Sequence, residues 1–135
     1  MTRLPDWRPR LAACLATAAR QPFAWGRHDC ALFVADAIAA MTGEDPAADW
    51  RGRYTSFERG LILVRREGFA DHVVWYAARF AEIPPLFAQV GDIAVVDGDD
   101  AQPALGIVQG EAIYVLQPAG LALLALTAAR RAFRV

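Results

Sequence analysis

The sequence predicts an α+β domain, with helices first and a mostly antiparallel sheet afterwards. As far as Ile83, apolar residues recur at spacings of three and four, the pattern of helices with one buried face. From Gly91 the texture changes to short β-rich or apolar runs, "DIAVVDG", "ALGIVQG", "AIYVLQP", "LALLAL" and "RRAFRV", broken by Gly, Pro and Asp. The spacers between these runs are too short for crossover helices, so each strand must turn back on a neighbour. With 135 residues, no internal repeat and no linker, the chain reads as a single domain over 1–135.

Each helix has its own signals. Asp6 is placed to cap the first, with Pro9 in the opening turn and Leu11, Leu15 and Ala18 on one face; Cys14 lies within it. After the turn-like "QPFAWGRH", Asp29 caps a second helix in which Cys30, Phe33, Val34, Ala37, Ile38 and Met41 follow at helical spacing, and Gly43 ends it. "GEDPAADWRGRY" reads as loop. Thr55 and Glu58 have capping-box spacing ahead of "RGLILVRREG", and Asp71 can cap "HVVWYAARFAEI", which Pro84 and Pro85 terminate.

Bulk properties exclude several classes of function. A formal charge of -1 lacks the positive field that sequence-independent phosphate binding needs, so nucleic acid is not an expected partner. No apolar run approaches the roughly 20 residues that span a bilayer. Pro5, Asp6 and Pro9 interrupt the N-terminal apolar stretch, against a signal peptide. A domain of this size does not need a covalent staple, so Cys14 and Cys30 are expected as free thiols.

Cys30 is where the sequence points to chemistry. A cysteine in the first turn of a helix meets the positive end of the macrodipole and unpaired backbone N–H groups, both of which favour thiolate. Packed against a sheet, such a helix leaves its sulfur at an edge that a substrate carbonyl can reach.

The stretch "PFAWGRHDCALFVADAIAAMTG" resembles the nucleophile region of the NlpC-type cell-wall cysteine peptidases: an aromatic, a residue, Trp-Gly, a short spacer, then Asp-Cys opening a helix. "VGDIAVVDG" resembles the Gly-Asp that begins their first central strand, and "ALGIVQGEAIYVL" the strand pair after it. The "FAWGRHDCALFVAD" style is also similar to small phage and prophage proteins encoded among tail-assembly genes. The resemblance implies a papain-like fold, Cys30 as nucleophile, and peptidoglycan or other tail proteins as partners.

The chain also departs from that pattern. Where the peptidases begin the second strand with His-Val-Gly-Ile, this chain has Ala104-Leu105-Gly106-Ile107, so their general base is missing at Ala104. Only His28 and His72 remain. His28, in the turn before Cys30, is an alternative base that approaches from the loop side. His72 reads as a helix N-terminal residue that the family's order of elements puts away from the site. Asp29 serves as the helix cap beside the nucleophile. Trp25, Ala104, Tyr114 and Gln117 are expected to line the cleft, and Arg51, Arg53 and Arg59 to form a surface patch with Tyr54. Asp97, Asp99 and Asp100 crowd one turn, but the spacing fits no calcium loop; neither metal nor cofactor is expected.

Three readings follow. The missing base favours a catalytically degenerate domain acting as a structural or assembly component of a phage tail, made in the bacterial cytoplasm and carried into the virion tail. The alternatives are an active peptidoglycan-cleaving hydrolase with a non-standard base, and a bacterial module that binds a ligand in the old cleft.

Overall fold

The structure, a computed structural model, describes residues 1–98 and 100–135. Four helices precede the sheet: α1 (Trp7–Arg20), α2 (Cys30–Thr42), α3 (Phe57–Arg66) and α4 (His72–Ala77). The strands are β1 (Glu82–Ile83), β2 (Ile93–Asp97), β3 (Pro103–Gln109), β4 (Ala112–Gln117), β5 (Gly120–Ala125) and β6 (Arg131–Phe133). They form one sheet in the order β1-β6-β2-β3-β4-β5, every neighbouring pair antiparallel. The expected α+β class and antiparallel sheet are therefore present. No helix among the described residues is long and apolar enough to cross a membrane.

Helix α2 is apolar over most of its circumference because most of it is enclosed, with Asp36 on the side left open. It packs on α1 on one side and on β3 on the other, and Phe33, Val34, Ala35, Ala37, Ile38 and Met41 have no exposed surface. Leu105 and Ile107 of β3 join this core, whereas Ala104 and Val108 fall in a second cluster with Ala94, Val96 and Ile113. That split is the two-residue alternation of a strand buried on both faces. Gly106 lies between them because a Cβ there would come within 2.6 Å of the Tyr114 carbonyl oxygen on β4.

Three helix boundaries differ from expectation. Asp6 makes no side-chain cap; its carboxylate is taken by Arg10 at 2.8 Å, one turn on. The cap of α3 is Ser56, which accepts from the Arg59 N–H at 3.2 Å, instead of Thr55 one residue earlier. Asp71 does cap α4 through the Val74 N–H at 2.9 Å, but the helix ends at Ala77 and does not reach Ile83. Glu82 and Ile83 pair instead with Phe133 and Ala132, so strand pairing overrides local helical periodicity.

The last strand is not at an edge. β6 lies between β1 and β2, and the segment after it is held by the other end of the chain. The Arg3 guanidinium donates to the carbonyls of Val90 (2.9 Å) and Val135 (3.1 Å) and to Asp92 Oδ1 (3.2 Å), which also accepts from the Val135 N–H (3.0 Å).

The turn before α2 depends on one glycine. Gly26 has φ +78°, a Cβ on it would collide with the Tyr54 carbonyl, and its own carbonyl accepts from the Gly52 N–H at 2.8 Å. Gly26→Ala combines left-handed strain with a backbone clash, so denaturant unfolding of that variant is expected to read at least about 2 kcal/mol of lost stability.

Candidate active site

The turn that carries the site is closed by paired backbone bonds, Ala24 N–H to the His28 carbonyl (2.9 Å) and His28 N–H back to Ala24 (2.8 Å). Asp29 then leaves the turn with extended backbone and caps α2, its Oδ1 accepting from the Leu32 N–H at 3.0 Å. Its Oδ2 accepts from the Gly26 N–H at 2.9 Å and from the Tyr54 hydroxyl at 2.6 Å. The carboxylate is 1% exposed and has three donors. Burial, followed by the nearby Asp29 charge, pushes the Tyr54 phenol well above its ordinary range, which keeps it a donor.

Cys30 is thereby fixed as the first residue of α2, as the sequence predicts, and it is a free thiol, as is Cys14. Its sulfur faces the N–H groups of Leu105, Ala31 and its own residue. Those donors favour thiolate, but burial is the larger effect, and with Asp29 adjacent the thiol is pushed up to about 11. Burial raises Cys14 to about 11 as well. This corrects the expectation of a lowered thiol: the helix end contributes only ~0.3–1 kcal/mol, less than the desolvation it opposes.

The two histidines exchange the places expected of them. His28 is 1% exposed and faces away from the cleft; its Nε2 donates to the Ala18 carbonyl of α1 at 3.2 Å, while its Nδ1 has no partner. It is not a wall of the cavity on which Cys30 opens. His72, at the first position of α4, is such a wall. Its Nε2 lies 3.0 Å from the Pro103 carbonyl oxygen. A carbonyl only accepts, so Nε2 carries the proton and the neutral ring keeps its lone pair on Nδ1. Burial holds the ring below its ordinary value, hence neutral at pH 7.

Strand β3 brings Cys30 and His72 to a common edge. Val108 exchanges hydrogen bonds with Gly91 and Asp92 on the β2 side, so by alternation Pro103 and Leu105 direct their backbone groups to the β4 side. Pairing with β4 begins only at Gly106. The Pro103 carbonyl and the Leu105 N–H are thus left free of β4; His72 takes the carbonyl, and the Leu105 N–H is among the donors that favour charge on the Cys30 sulfur. Residues two apart on a strand repeat at about 7 Å, which bounds the separation of the two attachment points.

The cavity beside them measures 370 Å³. Trp25, Ala104 and Gln117 line it as expected. Tyr114 does not: it shares a face with the cavity wall Leu116 but sits two residues before it on β4, paired with Ile107 and Leu123, where it packs against the main core. Arg51 is no free surface cation but bridges Asp36 (2.8 Å) and Asp45 (2.7 Å), and Tyr54 points inward to Asp29. Asp99 lies outside the described residues; no group of three or more possible metal ligands occurs among the described ones.

The signal that could have found His72 is Asp71. A capped helix start fixes the direction of the residue after it, and the only other histidine is confined to the turn. Fold and site together define an α+β domain with a helix-terminal cysteine and a neutral histidine on one strand edge. The chain belongs to the family described as "Domain of unknown function (DUF6950)", whose match covers residues 2–135. No curated protein matches it.

Absorbance of the thiolate at 240 nm checks the state of the sulfur. In a Cys14→Ser protein the remaining thiol is expected to ionise well above the ordinary value of about 8.5. Tyr54→Phe removes a charge-assisted hydrogen bond from Asp29 and is expected to lower stability by about 1.5–3 kcal/mol in urea unfolding.

Proposed function

We propose that this chain is a cysteine hydrolase of carboxylic-acid derivatives, with Cys30 as nucleophile and His72 as general base. The observation that carries the reading is the one cavity that Cys30 and His72 both line, with the Pro103 carbonyl of β3 fixing the His72 tautomer. The likeness of the Cys30 segment to NlpC-type peptidases supports the same reading and suggests a papain-like fold and peptidoglycan amides as a substrate class. The base, however, comes from α4 instead of the second central strand.

In this reading the ground state is a thiol beside a neutral imidazole. His72 Nδ1 takes the Sγ proton as sulfur bonds to the substrate carbonyl carbon, and the new oxyanion draws on the unpaired N–H groups at the start of α2. Collapse expels the leaving group, which takes the proton from the imidazolium. Water, deprotonated by the same nitrogen, then attacks the thioester carbon; the C–S bond breaks and the thiol is regenerated.

A second reading keeps support from Ala104, which stands where the peptidases have their base, and from the raised thiol. It is a non-hydrolytic domain that serves as a tail or tail-assembly component, made in the bacterial cytoplasm. Release of p-nitrophenol from p-nitrophenyl esters separates the two. Cys30→Ala should abolish turnover, His72→Ala should lower it by about 10²- to 10⁴-fold, and acylated protein should carry the added mass on Cys30.

The pH profile adds an independent check. Because burial lowers His72, the base is free above its ordinary value of about 6.5, and activity should fall only below that pH as the ring protonates. A neutral pair retains activity above pH 8, whereas a thiolate–imidazolium pair loses it as the imidazolium deprotonates. A decline already present at pH 8 would overturn the general-base mechanism, and hydrolysis that survives Cys30→Ala would overturn the reading itself.

A further inference from the structure

Trp75 of α4 presents a donor that the protein does not use. Its ring lines the cavity and is 4% exposed, yet its Nε1–H has no acceptor among the described residues. Buried indole N–H groups ordinarily find a partner. Most of the walls are apolar, among them Phe23, Trp25, Trp50, Phe57, Leu61 and Leu116, with Asp100, Gln102 and Gln117 as polar exceptions. Trp50 meets Trp75 edge to face at 6.0 Å, and Phe23 meets Trp25 likewise at 4.9 Å, so the walls brace one another instead of collapsing inward. The described walls include no lysine or arginine. At 370 Å³ the cavity is near the lower end of the about 300–1,000 Å³ of small-molecule sites.

We infer that the cavity beside Cys30 binds an uncharged, apolar acyl group of medium length, with the Trp75 ring as one of its walls. This deepens, and rests on, the hydrolase reading above. An anionic acyl part, such as the carboxylate-bearing stem of a cell-wall peptide, would lose its hydration in such a cavity without gaining a cation. An alkyl chain gains with each buried methylene, by up to about fourfold.

The test has a kinetic and a binding arm. In the unmodified protein, p-nitrophenyl octanoate is expected to acylate Cys30 at least about tenfold faster than p-nitrophenyl acetate, and faster by a similar factor than the mono-p-nitrophenyl ester of glutarate. In Cys30→Ala protein, which has no nucleophile, octanamide is expected to shift the indole N–H resonance of Trp75, one of the four tryptophans, because its ring is a wall of the cavity. That resonance should be missing in Trp75→Phe, which should bind octanamide severalfold more weakly.

Equal rates for octanoate and acetate, preference for the glutarate ester, or an unmoved Trp75 resonance on adding octanamide would each overturn the assignment. The two arms fail separately. Acylation of Cys30 without chain-length preference removes the apolar site and leaves the hydrolase; octanamide binding without acylation by any ester removes the hydrolase and leaves the site. The octanoate-to-acetate ratio is measured on the unmodified protein, so it does not depend on Trp75→Phe folding.

Discussion

The carboxylate of Asp29 ties together three stretches of chain: the start of α2, the turn before it and the loop after it. One oxygen holds the start of α2, the other holds the Gly26 turn and the phenol of Tyr54 on the loop that follows α2. A buried carboxylate is tolerable only when its lone pairs are occupied, and here three donors occupy them. Because Cys30 is the next residue, the direction of its sulfur is inherited from that anchor. The tight approach of Tyr54 to Gly26 makes the same loop a wall of the cavity, so the cap, the turn and the pocket form a single mechanical unit.

Burial has two effects at this site. It opposes charge on both reactive groups, keeping the thiol protonated and the imidazole neutral. It also strengthens every fixed dipole around them, including the unpaired N–H groups at the start of α2. In the proposed hydrolase such a site does not depend on a preformed ion pair; charge would separate only when a carbonyl is present to receive the nucleophile. The open edge of β3 holds the imidazole in place through the Pro103 carbonyl.

Much of the helical half could be read directly from the residues. Asp29, the apolar run after it and Gly43 define α2 at both ends, because capping chemistry is local and leaves its mark within three or four positions. The free thiols, the antiparallel pairing and the cavity positions of Trp25 and Gln117 could be read too. For His72 only the Asp71 cap was legible, since its place at the cavity depends on the Pro103 carbonyl, 31 residues away, and on β4 starting too late to use it. Helical periodicity likewise gave no warning that Glu82 and Ile83 would become strand, because their partners are at the far end of the chain. Tyr114 was misplaced for a related reason: alternation puts it on the face of the cavity wall Leu116, while only the register shows that it lies too far back along β4 to reach the cavity.

The insertion of β6 between β1 and β2 has a bearing on biosynthesis. β1 and β2 are not neighbours, and each finds its partner in residues 131–133. A chain emerging from the ribosome can form its helices and the β2–β5 meander early, but that sheet keeps an unpaired border on β2 until the final segment emerges. Exposed strand borders recruit other strands. The interval between the synthesis of β2 and that of β6 is therefore when the nascent chain is most prone to pair with the wrong partner, and the arrival of Phe133, with the Arg3 clamp behind it, closes that interval.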